Sequence, residues 1–460
     1  MRFSGQDDPI RREVLRLARP AIAQSLLQTM TFVVDRGMLG HHGASSIAAL
    51  QIGGSIGWGL FIVATSFTAG TVAVVGRAVG ARDEGAARDA ARASLGIALA
   101  ASVLAIAVGA GLTALSPIAF PEAGETVVGG ARGYLAVILP SFPLLLVAIA
   151  LASIVQASGD TRTPFLAGAF GNLLNLGLDW VFIFGRLGAP ELGPAGAGIG
   201  TAASWFGQVV VLWALWPGLG RAPSLIPRRR GSSSRQGGPG GVPAAARRIL
   251  RVTWPSTGER GVQAAGYFLY VGMIGALGET AMAAHQSLIA LEALSWLSAD
   301  GFGVAAGAVV AQRLGARAPG EARRGGWVAT ALAATALSLC GLVFLSFPGP
   351  LLAAFTGGRG ELTDLAVPCL RIAAVAQPFM AAAVVLSCAL RAAGATGWVF
   401  GVALLGGVGV RLGVTGLAAF GLGLGLTGVW LGSTVDWIVR AGVLAWLFHR
   451  GAWARRLDRP

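Results

Sequence analysis

The chain has 460 residues, of which 54% are hydrophobic and only 12% charged, with a mean hydropathy of +0.68. A soluble globular protein of this size carries roughly twice that share of charge, so a soluble enzyme is excluded. The net charge of +14 does not point to nucleic acid, because of where the charges fall. All 35 basic residues are arginines, and most cluster in the N-terminal segment, the C-terminal tail and alternate loops. Arg36, Arg132, Arg186, Arg359 and Arg371 lie towards the opposite side, and Arg260, Arg411 and Arg440 lie within apolar segments. This is the positive-inside pattern of a multi-pass protein of the cell inner (plasma) membrane with both termini in the cytoplasm.

Apolar runs approach or exceed the roughly 20 residues that cross a ~30 Å hydrocarbon core. They predict spans near 17–39, 48–75, 90–117, 130–156, 163–184 and 195–217, then near 250–277, 283–312, 326–347, 364–391, 397–420 and 425–447. Arg11, Arg12, Arg16 and Arg19 before the first run imitate a signal peptide, but eleven more spans follow and no convincing cleavage site does. Residues 1–217 read as a first six-helix lobe and 247–460 as a second with a short cytoplasmic tail. Between them, 218–246 carries Pro227-Arg228-Arg229-Arg230-Gly231-Ser232-Ser233-Ser234 and a Gly/Pro stretch, and reads as a flexible cytoplasmic linker. Cys340, Cys369 and Cys388 lack metal-ligand spacing and read as packing residues.

The halves repeat. Adding 235 carries Pro20 onto Pro255, Gln24 onto Glu259, Gly37-Met38-Leu39-Gly40 onto Gly272-Met273-Ile274-Gly275 and Gly80-Ala81-Arg82 onto Gly315-Ala316-Arg317. It also carries Gln51 onto Gln286, Phe67 onto Phe302, Pro143 onto Pro378, Gly159 onto Gly394 and Thr161 onto Thr396. Near the ends the offset becomes 232, matching Gly196 with Gly428 and Trp205 with Trp437. Six spans per repeat is an even number, so both halves share one orientation and are related by an axis along the membrane normal. A transport path between two such lobes follows.

An ionisable side chain inside a bilayer costs about 2.5–3.5 kcal/mol on insertion scales, so each needs a reason. Asp35 lies about 18 residues into span 1 and Asp179 about 16 into span 5, both entered from the cytoplasm, which places both in the outer half of the membrane. Tyr134 and Thr201 sit early in spans 4 and 6, entered from outside, and share that depth. Asn172, Asn175 and Asp179 are spaced three and four apart and line one helix face. Two carboxylates among amide and hydroxyl oxygens suit Na⁺, and in a low dielectric such a pair also suits a shared H⁺. The alternative is local: Asp179 pairs within its own lobe and Asp35 is neutralised by Arg36, although adjacent helix residues point apart and Arg36 can snorkel outward.

The second half carries Glu259, Glu292, Asp300 and Asp436, which either bind a cation or a cationic substrate or pair internally, Arg411 with Glu292 or Asp436. Asp35 has Tyr270 as its counterpart, and Asp179 has no acid. His285 and Gln286 read as structural. Asp83, Glu84 and Asp89 read as solvated surface, and Gly159-Asp160 as a turn.

The sequence resembles the multidrug and toxic compound extrusion (MATE) transporters over nearly its whole length. The stretches carrying the resemblance are Leu17-Ala18-Arg19-Pro20, Val34-Asp35, Ala157-Ser158-Gly159-Asp160-Thr161-Arg162-Thr163-Pro164 and Asn172-Leu173-Leu174-Asn175-Leu176-Gly177-Leu178-Asp179. In the second half they are Ala283-Ala284-His285-Gln286, Gly301-Phe302-Gly303-Val304-Ala305-Ala306 and Ala389-Leu390-Arg391-Ala392-Ala393-Gly394. Arg36 after Asp35, and His41-His42, depart from the family pattern. So do Ala395 and Gly397, which stand where a repeat of Asp160 and Arg162 would fall.

The resemblance implies an all-α integral membrane fold of twelve transmembrane helices in two six-helix lobes around a V-shaped cavity. It also implies drug efflux driven by inward flow of Na⁺ or H⁺. In the DinF-like branch it places the coupling site on Asp35, Asn175, Asp179 and Thr201, with Tyr134 lining that lobe. A NorM-like site would need an acid in span 10, and none occurs between Arg371 and Arg391. The resemblance further links Pro20 to bending of helix 1 on protonation; the plain reading is that Pro20 begins that helix.

The expected chain is therefore a monomeric antiporter with no covalently bound cofactor, moving small, cationic amphiphilic substrates. A lipid-linked oligosaccharide or lipid flippase of the same superfamily is the alternative; it requires a strongly cationic cavity, whereas the acids counted in the spans outnumber the bases. Two enzyme classes fail on motifs. A Walker A motif cannot exist without lysine, and a prenyltransferase needs aspartate-rich diphosphate sites that Asp83 and Asp89 do not supply.

Overall fold

The computed structural model describes residues 9–119, 124–215, 240–356 and 360–455, and every regular element among them is helical. The first half contains α1 (Pro9–His42), α2 (Ala44–Ala64), α3 (Phe67–Gly80), α4 (Glu84–Ala119), α5 (Gly124–Ala157), α6 (Arg162–Phe184) and α7 (Pro194–Leu215). The second contains α8 (Gly241–Gly275), α9 (Glu279–Gly315), α10 (Pro319–Ser346), the short α11 (Pro348–Thr356), α12 (Gly360–Ala392), α13 (Thr396–Gly421) and α14 (Gly425–Arg450). Ten spans are long and apolar enough to cross a membrane, with α2 and α3 counted as one. The arginine-bearing α1 and α8 complete two sets of six.

Most helices extend beyond the apolar runs at one end or both, because amphipathic turns beyond the hydrocarbon still satisfy their backbone groups helically. Of the expected linker, 218–239 lies outside the described residues, while Gly241–Ala246 is already the start of α8. Pro20 does not begin a helix; it lies inside α1. Having no N–H, it leaves the carbonyl of Arg16 without its helical partner.

Contacts gather the described residues up to Ile22 with Val252 onward into one compact unit, and Ala23–Arg251 into another. Each set of six helices thus starts with turns buried in the core of the other set. Ile10, Val14, Leu17 and Ala18, on one face of α1, pack among Phe302, Val309, Leu386 and Phe448. Ala245 and Ile249 of α8 pack among Val75, Ala87, Ala90 and Ile154. The α1 segment is further tied by Arg313, whose guanidinium reaches Glu13 at 2.6 Å and Glu321 at 2.8 Å.

The repeat extends to backbone detail. Arg82 and Arg317 both adopt left-handed backbone, with φ of 57° and 56°, in equivalent turns. Gly159 (φ 91°) and Gly394 (φ 80°) end α5 and α12 in matching caps, in which the next N–H returns to the carbonyl of Val155 or Leu390. Asp160 then accepts hydrogen bonds from the N–H groups of Arg162 (2.8 Å) and Thr163 (3.1 Å), a cap that Ala395 cannot make.

Candidate cation site in the first half and the charges of the second

Small residues let α6 and α7 meet backbone to backbone. At Gly196 a Cβ would lie 2.5 Å from the carbonyl of Phe182, so a larger residue would force the helices apart. One turn on, a Cβ at Gly200 would occupy the place of Asp179 Oδ1, with Asp179 Cγ at 2.9 Å and Asn175 Nδ2 at 3.1 Å. The absent side chain of Gly200 is therefore the space that holds the Asp179 carboxyl. Asp179 is fully buried and Asn175 nearly so.

Asp35, near the far end of α1, brings its carboxyl within side-chain hydrogen-bonding reach of Asp179. Both groups are acceptors when ionised, so the approach becomes a hydrogen bond only if one carries a proton. Among the described residues no donor meets Oδ1 of Asp35 or either oxygen of Asp179. The Asn175 amide adjoins Asp179, yet neither its Nδ2 nor its Oδ1 completes a hydrogen bond; Asn172 Nδ2 is also unmet. The Tyr134 ring leans on α2, where a Cβ at Gly53 would lie 2.9 Å from its Cδ1, and its phenol sits in the field of Asp35, Asp179 and Arg36.

Asp35, Asn175, Asp179 and Tyr134 are thus brought together. Thr201 is partly exposed, one residue past Gly200 and about 100° further round α7. Arg36 is exposed. Orphaned buried oxygens beside two carboxyl groups fit a hard cation or a proton. Among the described residues no three His, Cys, Asp or Glu side chains cluster, so the donor set is unlike that of a zinc site.

The second half differs. Asp436 receives Arg411 at 2.8 Å and Arg440 at 2.5 Å, and Glu259 receives Arg391 at 2.8 Å. In the second half Glu259, Glu292, Asp300 and Asp436 stand with as many arginines, Arg260, Arg391, Arg411 and Arg440, while Asp35 and Asp179 add to the acids in the first. Two π-helical segments, Leu404–Val410 and Gly416–Gly421, flank the α-helical turn that presents Arg411. Its guanidinium lies 5.4 Å above the Tyr270 ring and 5.5 Å from that of Trp437. Glu292 lies in the field of Arg411. His285 is fully buried against Tyr270 and Trp430, while Gln286 is exposed. Asp83 caps α4 through the N–H of Ala86 at 2.9 Å; Asp89, expected on the surface, is buried.

The sequence did not single out Gly200, nor the pairing of Arg391 with Glu259 and of Arg440 with Asp436. The small-residue run Ala195-Gly196-Ala197-Gly198 and the four-residue spacing of Asp436 and Arg440 were the available signals.

The MatE family model matches residues 20–181 and again 255–415, and the two matches start 235 residues apart, as the internal repeat does. A relative from Thermotoga maritima, "Probable multidrug resistance protein NorM", is 28% identical over 97% of this chain and 94% of its own length. One of the same name from Pseudomonas aeruginosa is 31% identical over 79% of this chain and 73% of its own length. Among solved structures, the Vibrio cholerae MATE transporter VcmN in the bent form superposes with a TM-score of 0.85 at 18% identity, over 98% of each chain. An outward-facing multidrug resistance MATE family transporter superposes with a TM-score of 0.81 at 21% identity over 98% of each. The chain is a multi-pass membrane transporter, not an enzyme, and belongs to the MatE family.

Proposed function

We propose that the chain exports small amphiphilic compounds across the cell inner membrane by antiport, with Na⁺ or H⁺ entering at Asp35 and Asp179. The observation that carries this reading is the facing pair of carboxyl groups, of which Asp35 Oδ1 and both oxygens of Asp179 meet no hydrogen-bond donor among the described residues. Such a pair needs a cation between the groups or a shared proton. The relatives named multidrug resistance proteins support the efflux direction. Both termini lie in the cytoplasm, in keeping with the arginine distribution, and the working unit is a monomer.

Antiport requires the cation to bind two conformations with different affinity. α1 is the element that feels it: Asp35 lies near one end, and the missing backbone bond at Pro20 weakens the helix between Asp35 and the turns held by Phe302 and Phe448. The acids of α1 and α6, with none in the middle of α12, favour the DinF-like branch.

Fluoroquinolone efflux from cells tests the reading. Asp35→Asn and Asp179→Asn should each abolish gradient-driven export while leaving the protein in the membrane. Unchanged export in both would sink it. Removing Na⁺, or collapsing the proton gradient, identifies the ion.

A further inference from the structure

We propose that Arg260 of α8 and Asp300 of α9 form a recognition site for zwitterionic substrates, Arg260 taking a carboxylate and Asp300 an amine. The proposal rests on the efflux reading above and names the substrate class.

Both residues interrupt membrane-spanning helices, where an ionised side chain persists only with a purpose. Their neighbours already have partners. Arg391 donates to Glu259 at 2.8 Å and lies 3.3 Å from Cys388 Sγ, and Glu259 also accepts from Gln263 at 3.3 Å. Glu259 is buried at 4% exposure, so that pair closes on itself. Arg260 follows Glu259 and points about 100° away round the helix. It feels Asp300, Glu259 and Arg391 electrostatically, yet among the described residues it forms no ion pair or hydrogen bond. The same holds for Asp300, which lies in the field of Arg391 and Arg260. Both side chains are partly exposed. Packing sets the two in one region: Arg391 joins Glu259, the neighbour of Arg260, to Cys388, and Cys388 Sγ lies 2.7 Å from where a Cβ would stand at Gly303, one turn past Asp300. A guanidinium and a carboxylate thus share one region of one unit, opposite in sign and not joined.

The repeat shows that the scaffold does not require these charges. At the same offset of 235 the first half has Gln24, Ser25, Thr65 and Gln156 where the second has Glu259, Arg260, Asp300 and Arg391. Four neutral positions have become four charged ones that sum to zero. A purely cationic ligand would gain at Asp300 and be opposed by Arg260. A purely anionic one would gain at Arg260 and be opposed by Asp300. A ligand carrying both charges satisfies both unjoined groups and leaves no net charge in a low-dielectric surrounding.

The test uses one fluorescent scaffold in three charge states: a fluoroquinolone with free amine and carboxylate, its methyl ester (cation) and its N-acetyl derivative (anion). Equilibrium binding to the purified full chain and gradient-driven uptake into proteoliposomes are measured for wild type, Arg260→Gln and Asp300→Asn. Wild type should bind the zwitterion about tenfold tighter than either derivative, a difference of about 1.4 kcal/mol. Arg260→Gln should cost the zwitterion and the anion about tenfold and spare the ester. Asp300→Asn should cost the zwitterion and the ester and spare the anion. Arg260→Lys, which keeps the charge, should keep the zwitterion preference; a loss as large as in Arg260→Gln would assign the effect to shape and overturn the proposal. If all three probes shift together, or the ranking never changes, the proposal also fails. Should Arg260→Gln not fold, Asp300→Asn decides alone. Charge-selective binding without gradient-driven uptake leaves this site standing and sinks the efflux reading. Gradient-driven uptake with charge-blind binding sinks this site alone.

Discussion

Replacing Gly200 by alanine adds one methyl group where the structure has no room for it. The new Cβ would fall on Asp179 Oδ1, 2.9 Å from Cγ and 3.1 Å from Asn175 Nδ2. Relief requires the Asp179 carboxyl to rotate away or α7 to withdraw, and α7 is held by the contact of Gly196 with the α6 backbone. Overpacking of this kind costs typically 1–3 kcal/mol. If the whole cost falls on the arrangement that binds the cation, affinity drops roughly 5- to 150-fold. The matched control is Gly177→Ala in α6, where an added Cβ meets nothing within 4 Å and a helix gains up to about 1 kcal/mol over glycine. The assay is uptake into proteoliposomes against varied Na⁺ concentration or varied pH, with thermal stability measured in parallel. Gly200→Ala should raise the half-saturating cation concentration within that range while Gly177→Ala leaves it unchanged. An unaltered cation dependence in Gly200→Ala would refute the placement of the site between α6 and α7.

Three other substitutions test neighbouring features. Asp436→Asn leaves Arg411 and Arg440 facing each other, nearly buried, and should destabilise the protein by about 3–5 kcal/mol, read as a fall in Tm; an unchanged Tm would mean the cluster is solvated. Pro20→Ala restores a helical hydrogen bond and removes a penalty of about 3 kcal/mol against bending back to straight. It should slow efflux while substrate binding survives, and full efflux would remove bending at Pro20 from the cycle. Asp160→Ala deletes the α6 cap and should cost about 1 kcal/mol of stability with efflux intact, since Ala395 already does without it; a collapse of transport would give Asp160 a role beyond the turn.

The spans were legible because a bilayer demands long apolar helices, and composition alone reports them. The repeat was legible because glycines and prolines fix special backbone, so Gly159 and Gly394 or Arg82 and Arg317 could be matched by offset before their dihedral angles were known. Asp35 and Asp179 stood out as charges in apolar runs, and depth along each helix brought them level. What stayed hidden depends on packing in three dimensions. Arg391 is 132 residues from Glu259 and stands at the end of its span, so nothing in the sequence joined the two. Gly200 looked like one of many glycines, because the meaning of an absent side chain lies in the neighbour that fills its place. The π-helical stretches of α13 leave no mark on hydropathy.

The exchange of helix starts bears on how the chain is made. When the first half leaves the ribosome, the positions filled by Ala245 and Ile249 among Val75, Ala87 and Ile154 are still empty, and they close only as α8 emerges. Ile10 and Val14, made well before it, wait for Phe448 of α14. Each half completes its core with turns of the other, and a chain stopped in α13 would leave its own first turns without the shelter of Leu444 and Phe448. An interrupted product is thereby marked by exposed apolar surface on α1, where quality-control proteases would meet it. The same logic predicts that the ancestral single repeat could stand only as a pair.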